Sequence, residues 1–486
     1  MKIRTPILKV GKHGLTYGLG NIISKSTIFF LIPVYTKYLT THEVGILALI
    51  EMTEMFFLAI GSSSVYQSIW YKLASKKVTS HSRIIFSGFS GLIIFNMIFL
   101  AILSLFADSL YQFFGLTDPN YSILVYLVLL NILLQFGGTF TLALWQYQQK
   151  SIPFISLSIV QLIGILGFSI YFVIFQDLGL MGVILGKLIV VSVIFVFCTF
   201  LILKEYLCVP SFKVFFELIK FGYPLIFIGL ATPILSVSDR YFLNIFVPLS
   251  MIGIYSINYK FGMLINMLLI TPFQRSILPM VYRNGLDEKS APIYCDLYFY
   301  FNVVGCFILL CVSFFIHPII EWVSNPEYLR GTYIVPIVTC AYLISGARSF
   351  FIPFVAIKNR TNMLGKISIV GIIICLLLNY YFIKFYGIKG AALATLLSYI
   401  ILSYSLYLLS RKINPMNWNW PRIAKLYFVT MVTLFSVKYC AVFWNIHYPI
   451  LGLIGIVVFP ILIYVLKIIG KREISGLKDL ISIFRK

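Results

Sequence analysis

Seven charged side chains stand where an apolar chain has least use for them. Lys25, Glu51, Glu54, Lys187, Lys260, Arg275 and Arg348 each fall well inside a mostly apolar stretch, and about 20 such residues suffice to cross a bilayer as a helix. A charge at the centre of such a helix costs about 2.5–3.5 kcal/mol on an insertion scale, so these groups must face one another or water. Five are basic and two acidic, a surplus of three positive charges once Asp239 and Arg240 offset each other. That surplus suits an anion, whose oxygens take charge-assisted hydrogen bonds from Arg and Lys in a poorly hydrated cavity. The candidate binding set is Lys25, Lys260, Arg275 and Arg348. Glu51, Glu54, Asp239 and Arg240 are the candidate charge-pair or ion-coupling groups.

Structural roles compete with these. Tyr17, Asn21 and Lys25 recur every four residues and share a helix face, as do Glu51 and Glu54 at a spacing of three. Lys25 and Glu54 stand at similar depth, so a bridge between them is an alternative to ligand contact. Arg275 and Lys438 can snorkel to the interface, and Lys187 reads as a snorkelling or lobe-packing residue. Asp239 and Arg240 read as a pair that fixes an outer gate, in preference to touching ligand directly.

The elements that must hold these residues are membrane spans. Fourteen apolar runs are long enough: 14–39, 43–69, 84–107, 121–147, 151–175, 179–204, 214–245, 251–282, 291–317, 331–357, 363–385, 387–410, 422–443 and 447–469. With 60% hydrophobic and 11% charged residues, no stretch is polar enough for a sizeable soluble domain. No small-residue cleavage site follows the first apolar run, which reads as a retained helix. The net charge of +22 reports topology: 27 Lys and Arg residues lie in the breaks on one side and 4 on the other. By the positive-inside rule both termini are cytoplasmic, and nucleic acid is not the partner. The eight cysteines lie mostly in apolar runs without CxxC, and the five histidines lack metal-ligand spacing. No metal site is indicated, and no GxxxxGK[ST], HExxH or GxSxG motif supports nucleotide hydrolysis or a hydrolase.

The chain repeats itself at a shift of 208 residues. Gly14 and Gly222, Gly45 and Gly253, Gly138 and Gly346, Lys150 and Lys358, Gly179 and Gly387, and Gly182 and Gly390 all keep that register. Six spans thus repeat six, and an even-numbered repeat keeps its orientation. The expected fold is an all-α polytopic membrane protein with two six-helix lobes, 1–208 and 209–415. The lobes are related by a pseudo-two-fold along the membrane normal with a cavity between them, and residues 416–486 add two helices and a basic cytoplasmic tail. Pro33 in the first span and Pro224 and Pro233 in its repeat mate are expected to break those helices at corresponding places.

Ser238-Asp239-Arg240-Tyr241, then Ile252-Gly253-Ile254-Tyr255-Ser256 and Asn258-Tyr259-Lys260, resemble a signature of polysaccharide-biosynthesis transport proteins. Leu378-Asn379 and the run from Tyr386 to Thr395 (YGIKGAALAT) resemble the start of the twelfth helix in the same family, within the multidrug/oligosaccharidyl-lipid/polysaccharide exporter superfamily. The resemblance extends over the whole chain. It implies a V-shaped pair of lobes, with the last two helices holding a lipid tail.

The function so implied is a flippase of the bacterial cytoplasmic membrane. It would carry polyprenyl-pyrophosphate-linked oligosaccharide repeat units, as for O-antigen or capsule, from the inner to the outer leaflet by alternating access. Membrane lipids, and further polysaccharide assembly proteins, are its implied partners. No cofactor is implied, with coupling to a proton or sodium gradient through Glu51, Glu54 or Asp239 left open. Lys260 maps by the repeat beside Glu51, so anionic substrate could compete with Glu51 or Glu54 for that lysine. Tyr17, Tyr255 and Tyr259 are candidates for stacking on sugar rings. A drug or cation exporter would expose more acid than base, and a membrane polymerase or glycosyltransferase would need a longer outer loop or an acid cluster.

Overall fold

The computed structural model describes residues 29–74, 80–116, 122–284, 291–358, 360–443 and 448–470. No water in a bilayer core can satisfy backbone groups, so the long apolar runs must close their hydrogen bonds internally as helices. The helices are α1 (29–38), α2 (Thr41–Ala74), α3 (His81–Ser104), α4 (Ala107–Phe113), α5 (Ser122–Tyr147), α6 (Ser151–Ile170), α7 (Gly179–Tyr206) and α8 (Phe212–Phe246). They continue as α9 (Leu249–Gly262), α10 (Thr271–Asn284), α11 (Ala291–Val323), α12 (Ile334–Gly346), α13 (Arg348–Ile357), α14 (Thr361–Ile413), α15 (Trp420–Phe443) and α16 (Tyr448–Val465).

Ten helices among the described residues are long and apolar enough to cross a membrane, and the chain is a multi-pass membrane protein. The difference from fourteen expected spans has specific origins. Most of the first span lies outside the described residues. The expected span 214–245 is the single 35-residue helix α8, and the run 251–282 is split into α9 and α10 by a π turn at Asn266–Ile270. The expected spans 363–385 and 387–410 are joined in α14, where Gly387 at φ 54° and ψ −133° turns the chain between them.

Polar residues set several helix starts. Thr40 and Glu43 form a capping box: the Glu43 carboxylate accepts from the Thr40 amide and hydroxyl, both at 2.9 Å, and Thr40 Oγ1 accepts from the Glu43 amide at 3.2 Å. Ser211 Oγ accepts from the Val214 amide to start α8. Helix α8 then runs unbroken to Phe246, so neither Pro224 nor Pro233 ends it, contrary to the expected break. Membrane helices tolerate proline because neighbouring groups and local backbone adjustments satisfy what it leaves open.

The helices gather into two compact units. One holds the described residues up to Ile257 with Val323–Glu327 and Ser368–Thr395. In it α2 packs along α8, α5 and α6 along α7, and α3 against α2, α5, α7 and α8. Leu157, Val190, Ile194 and Cys198 form an apolar seam between α6 and α7. The other unit holds Asn258–Trp322, Tyr328–Ile367 and the chain from Leu396 on, with α10 on α13, α12 on α13 and α15 on α16.

Two features follow the 208-residue register. Gly179 and Gly387 both adopt positive φ, 49° and 54°, where an L side chain is disfavoured. Within the first unit, Gly45 and Gly253 meet at a reciprocal contact. A β-carbon on Gly45 would lie 2.1 Å from the Leu249 carbonyl oxygen, and one on Gly253 would lie 2.1 Å from that of Thr41. Leu249 stands 208 residues after Thr41. The backbones of α2 and α9 approach so closely that only glycine fits at either place.

Candidate anion-binding cluster and buried charge pairs

Lys25, with Tyr17 and Asn21, lies outside the described residues. In the first unit Glu54 is buried, 5% exposed, on α2, and its Oε2 accepts from the Lys187 ammonium of α7. Lys187 is therefore an ion-pair partner between packed helices, and the intramembrane carboxylate is compensated locally. Glu54 Oε1 is buried without a hydrogen-bond partner. Glu51, one turn earlier on α2, is half-buried.

Asp239 and Arg240 sit together deep in the same unit. Arg240 donates to Asp239 Oδ1 from its amide at 2.9 Å and from Nη1 at 2.7 Å, and Nη1 also reaches the Ser236 carbonyl at 2.9 Å. The Tyr255 hydroxyl donates to Asp239 Oδ2, and the guanidinium lies over the Tyr255 ring, 5.3 Å from its centre. Next to the pair, Asn379 Nδ2 donates to Ser238 Oγ at 3.3 Å, while Asn379 Oδ1 is buried without a partner. Both quoted signature segments, around Asp239 and around Asn379, thus meet in one polar cluster. Tyr255 is fully buried by this role and presents no open face to a sugar.

The second unit holds the remaining basic candidates. Arg348 opens α13, where Nε donates to the Ser345 carbonyl at 3.1 Å and Nη2 donates to Ser345 Oγ. Its guanidinium stands 5.0 Å from the centre of the Tyr399 ring. Tyr399 meets Tyr342 edge-on, and the Tyr342 hydroxyl is 3.0 Å from that of Tyr259, the residue before Lys260. A buried aromatic chain thus runs from the α9 turn that bears Lys260 to Arg348. Tyr259, 2% exposed, is part of this chain rather than of an open sugar platform.

Arg275 is brought to the same neighbourhood by a neighbouring bond. Gln274 Nε2 donates to Ser349 Oγ at 2.7 Å, tying α10 to α13 at the positions adjacent to Arg275 and Arg348. Arg275 is half-buried. Among the described residues no carboxylate pairs with Arg275 or Arg348. Sequence reasoning missed Tyr342, Ser345, Tyr399 and the Gln274–Ser349 tie. Tyr342 and Ser345 precede Arg348 at spacings of six and three, so a helical-face reading around that arginine offered a signal. Tyr399 offered none, because its helix is brought in only by the tertiary fold.

The chain is an all-α, multi-pass membrane protein. Its fold agrees with solved transporters. The lipid II flippase MurJ in an inward closed conformation aligns with 93% of this chain and 98% of its own at a TM-score of 0.74 and 16% identity. The Vibrio cholerae MATE transporter VcmN in the bent form aligns over 83% and 96% at 0.56 and 15%. A MOP superfamily transporter from Pyrococcus furiosus aligns over 83% and 95% at 0.57 and 13%. Residues 10–284 match the model of the family described as polysaccharide biosynthesis protein, and the chain belongs to that family. No curated protein sequence matches it.

Proposed function

We propose that the chain is a flippase of the bacterial cytoplasmic membrane that carries polyprenyl-pyrophosphate-linked oligosaccharide from the inner to the outer leaflet by alternating access. The observation that carries this reading is Arg348, a cation within a span that no described carboxylate neutralises, with Arg275 on the helix tied beside it. Arginine presents a planar fork of donors that matches phosphate oxygens, and it stays charged in a poorly hydrated site. A cation exporter requires the opposite polarity, yet Glu54 is engaged by Lys187 and Asp239 by Arg240 and Tyr255.

The proposed architecture is fourteen spans in two six-helix lobes, 1–208 and 209–415, with both termini cytoplasmic and residues 416–486 appended. The paired positive-φ glycines and the reciprocal Gly45–Gly253 contact support the repeat. The substrate set is Lys25, Lys260, Arg275 and Arg348. A proton or sodium ion is coupled through Asp239 or Glu54, a role that suits the unpartnered Asn379 Oδ1 and Glu54 Oε1. The transported head carries about two negative charges, each favoured outward by about 2.3 kcal/mol per 100 mV of negative-inside potential.

The test is depletion of the protein followed by analysis of lipid-linked glycans in each leaflet. A pyrophosphate-linked oligosaccharide should accumulate on the cytoplasmic side, and the wild-type gene but not Arg348→Gln should clear it. Unchanged leaflet distribution of every lipid-linked glycan would reject the reading.

A further inference from the structure

Away from the proposed transport cluster, a concavity of about 350 Å³ opens between the start of α15 and the end of α16. Asn419, Pro421, Arg422, Lys425, Leu466, Lys467 and Ile468 line it. Three of the seven are basic and none is acidic. This region lies beyond the residues 10–284 that the family model matches.

Several features hold the cations around the opening. Arg422 Nε donates to the Ile468 carbonyl at 2.6 Å, which locks the two helix ends together. The guanidinium also lies over the Phe299 ring of α11 at 3.8 Å, so its plane is fixed by stacking. Lys425 follows one turn later on α15, which brings it to the same side as Arg422. Lys467 adopts a left-handed backbone, φ 54°, where the chain leaves α16. That conformation is unfavourable for a lysine, and Lys467 lines the concavity from the α16 end. Among the described residues neither Lys425 nor Lys467 has a carboxylate partner.

The surroundings fix the level of this concavity relative to the bilayer. Trp420 at the start of α15 is exposed and donates through Nε1 to the Tyr407 hydroxyl at 2.9 Å. Tyr464 and Leu466 are exposed at the end of α16. Tryptophan and tyrosine collect at the headgroup level, with apolar side chains on the hydrocarbon side and lysines on the aqueous side. The Lys and Arg bias of the sequence puts both helix ends at the cytoplasmic face. Basic pockets between spanning helices at that face are suited to lipid headgroups.

We propose that this concavity binds the phosphate of an anionic phospholipid of the inner leaflet, with Lys425 and Lys467 on its oxygens and Arg422 as the oriented wall. The acyl chains then lie along the exposed apolar faces of α15 and α16, where Phe428, Val465 and Leu466 stand open. The volume is adequate for a phosphodiester head and its water.

The experiment uses the full chain in detergent, titrated with phosphatidylglycerol, phosphatidylcholine or inorganic phosphate and read by native mass spectrometry and thermal shift. Wild-type protein should retain phosphatidylglycerol in preference to phosphatidylcholine, and K425Q/K467Q should weaken that retention about 30-fold, two surface cations' worth of attraction. R422K tests the oriented wall and should lose retention although charge is kept. Equal retention of the two lipids, or wild-type retention in K425Q/K467Q, would overturn the proposal. Displacement of the lipid by inorganic phosphate at equal concentration would overturn it too, by showing a soluble-anion site. Lys425 and Lys467 are exposed, so K425Q/K467Q should fold, and an unchanged lipid-free melting temperature in R422K separates lost retention from lost packing.

Discussion

Replacing Gly253 or Gly45 with alanine probes a close approach of two helix backbones in the first unit. The added β-carbon meets a carbonyl oxygen at 2.1 Å, whereas ordinary contact begins near 3.4 Å, so α2 and α9 must part by about 1 Å. The obstructing atom belongs to the backbone, and no rotamer change can clear it. Overpacking of this kind costs about 1–3 kcal/mol. Alanine returns about 0.5–1 kcal/mol through its better helix propensity, leaving a net loss of about 1–2 kcal/mol. Gly167 supplies the control: its added β-carbon meets nothing within 4 Å, so Gly167→Ala should be neutral or slightly stabilising.

The reciprocal geometry makes a sharper demand than either single change. Gly45→Ala and Gly253→Ala should lower stability by similar amounts, because each clashes at the same distance with the repeat-related oxygen. Once one methyl group has parted the helices the second finds space, so the double variant should lose well under the sum. Melting of the detergent-solubilised protein, read by a thiol-reactive dye on its eight native cysteines, measures all four forms. Strict additivity, or one silent and one damaging substitution, would refute a shared seam. If the seam closes the outer side during transport, each variant should also shift the resting population toward the open form, by about 30-fold per 2 kcal/mol.

Three further outcomes follow from the site. Arg348→Gln should abolish net flipping in reconstituted vesicles, while Arg348→Lys, which keeps charge but loses the fork, should retain a minor fraction of it; full activity in R348Q would exclude the arginine from substrate binding. Glu54→Gln should destabilise the protein by about 3 kcal/mol by leaving Lys187 unpaired, and the E54L/K187L pair should regain most of that in a thermal melt. Asp239→Asn should remove the dependence of transport on a proton or sodium gradient while the protein remains folded, which collapsing each gradient separately in vesicles would check.

How much of this was legible in the chain depended on which coordinate a residue's role required. Helix membership could be read: the apolar runs that hold Glu54, Lys187 and Arg348 form α2, α7 and α13. The proposed 208-residue register finds support in Gly179 and Gly387, which both adopt positive φ. Azimuth could not be read. Lys187 read as a snorkelling or lobe-packing residue, and nothing in its own helix shows that its partner is Glu54 across the packed pair α2 and α7. The prolines misled for a related reason: sequence shows a missing donor, and only the fold shows that α8 continues through Pro224 and Pro233, while the actual interruptions fall at π turns and at Gly387.

The polarity of the site follows from which charges the fold has already neutralised. Where a span carries an acid in Glu54 or Asp239, the fold supplies a base on an adjoining helix turn or a packed neighbour. Around Arg348 it supplies instead a serine, a carbonyl and the face of a tyrosine, all of which steady the guanidinium without cancelling its charge. Removing a compensated pair alters stability and leaves polarity alone, whereas removing Arg348 alters polarity and leaves most packing alone. A chain built only to fold in a membrane gains nothing from the second arrangement, because an uncancelled cation there raises the insertion cost. On the proposed reading, a phosphate arriving from the inner leaflet would supply the missing charge, and the state that binds substrate would also be the one in which this part of the interior is electrically complete.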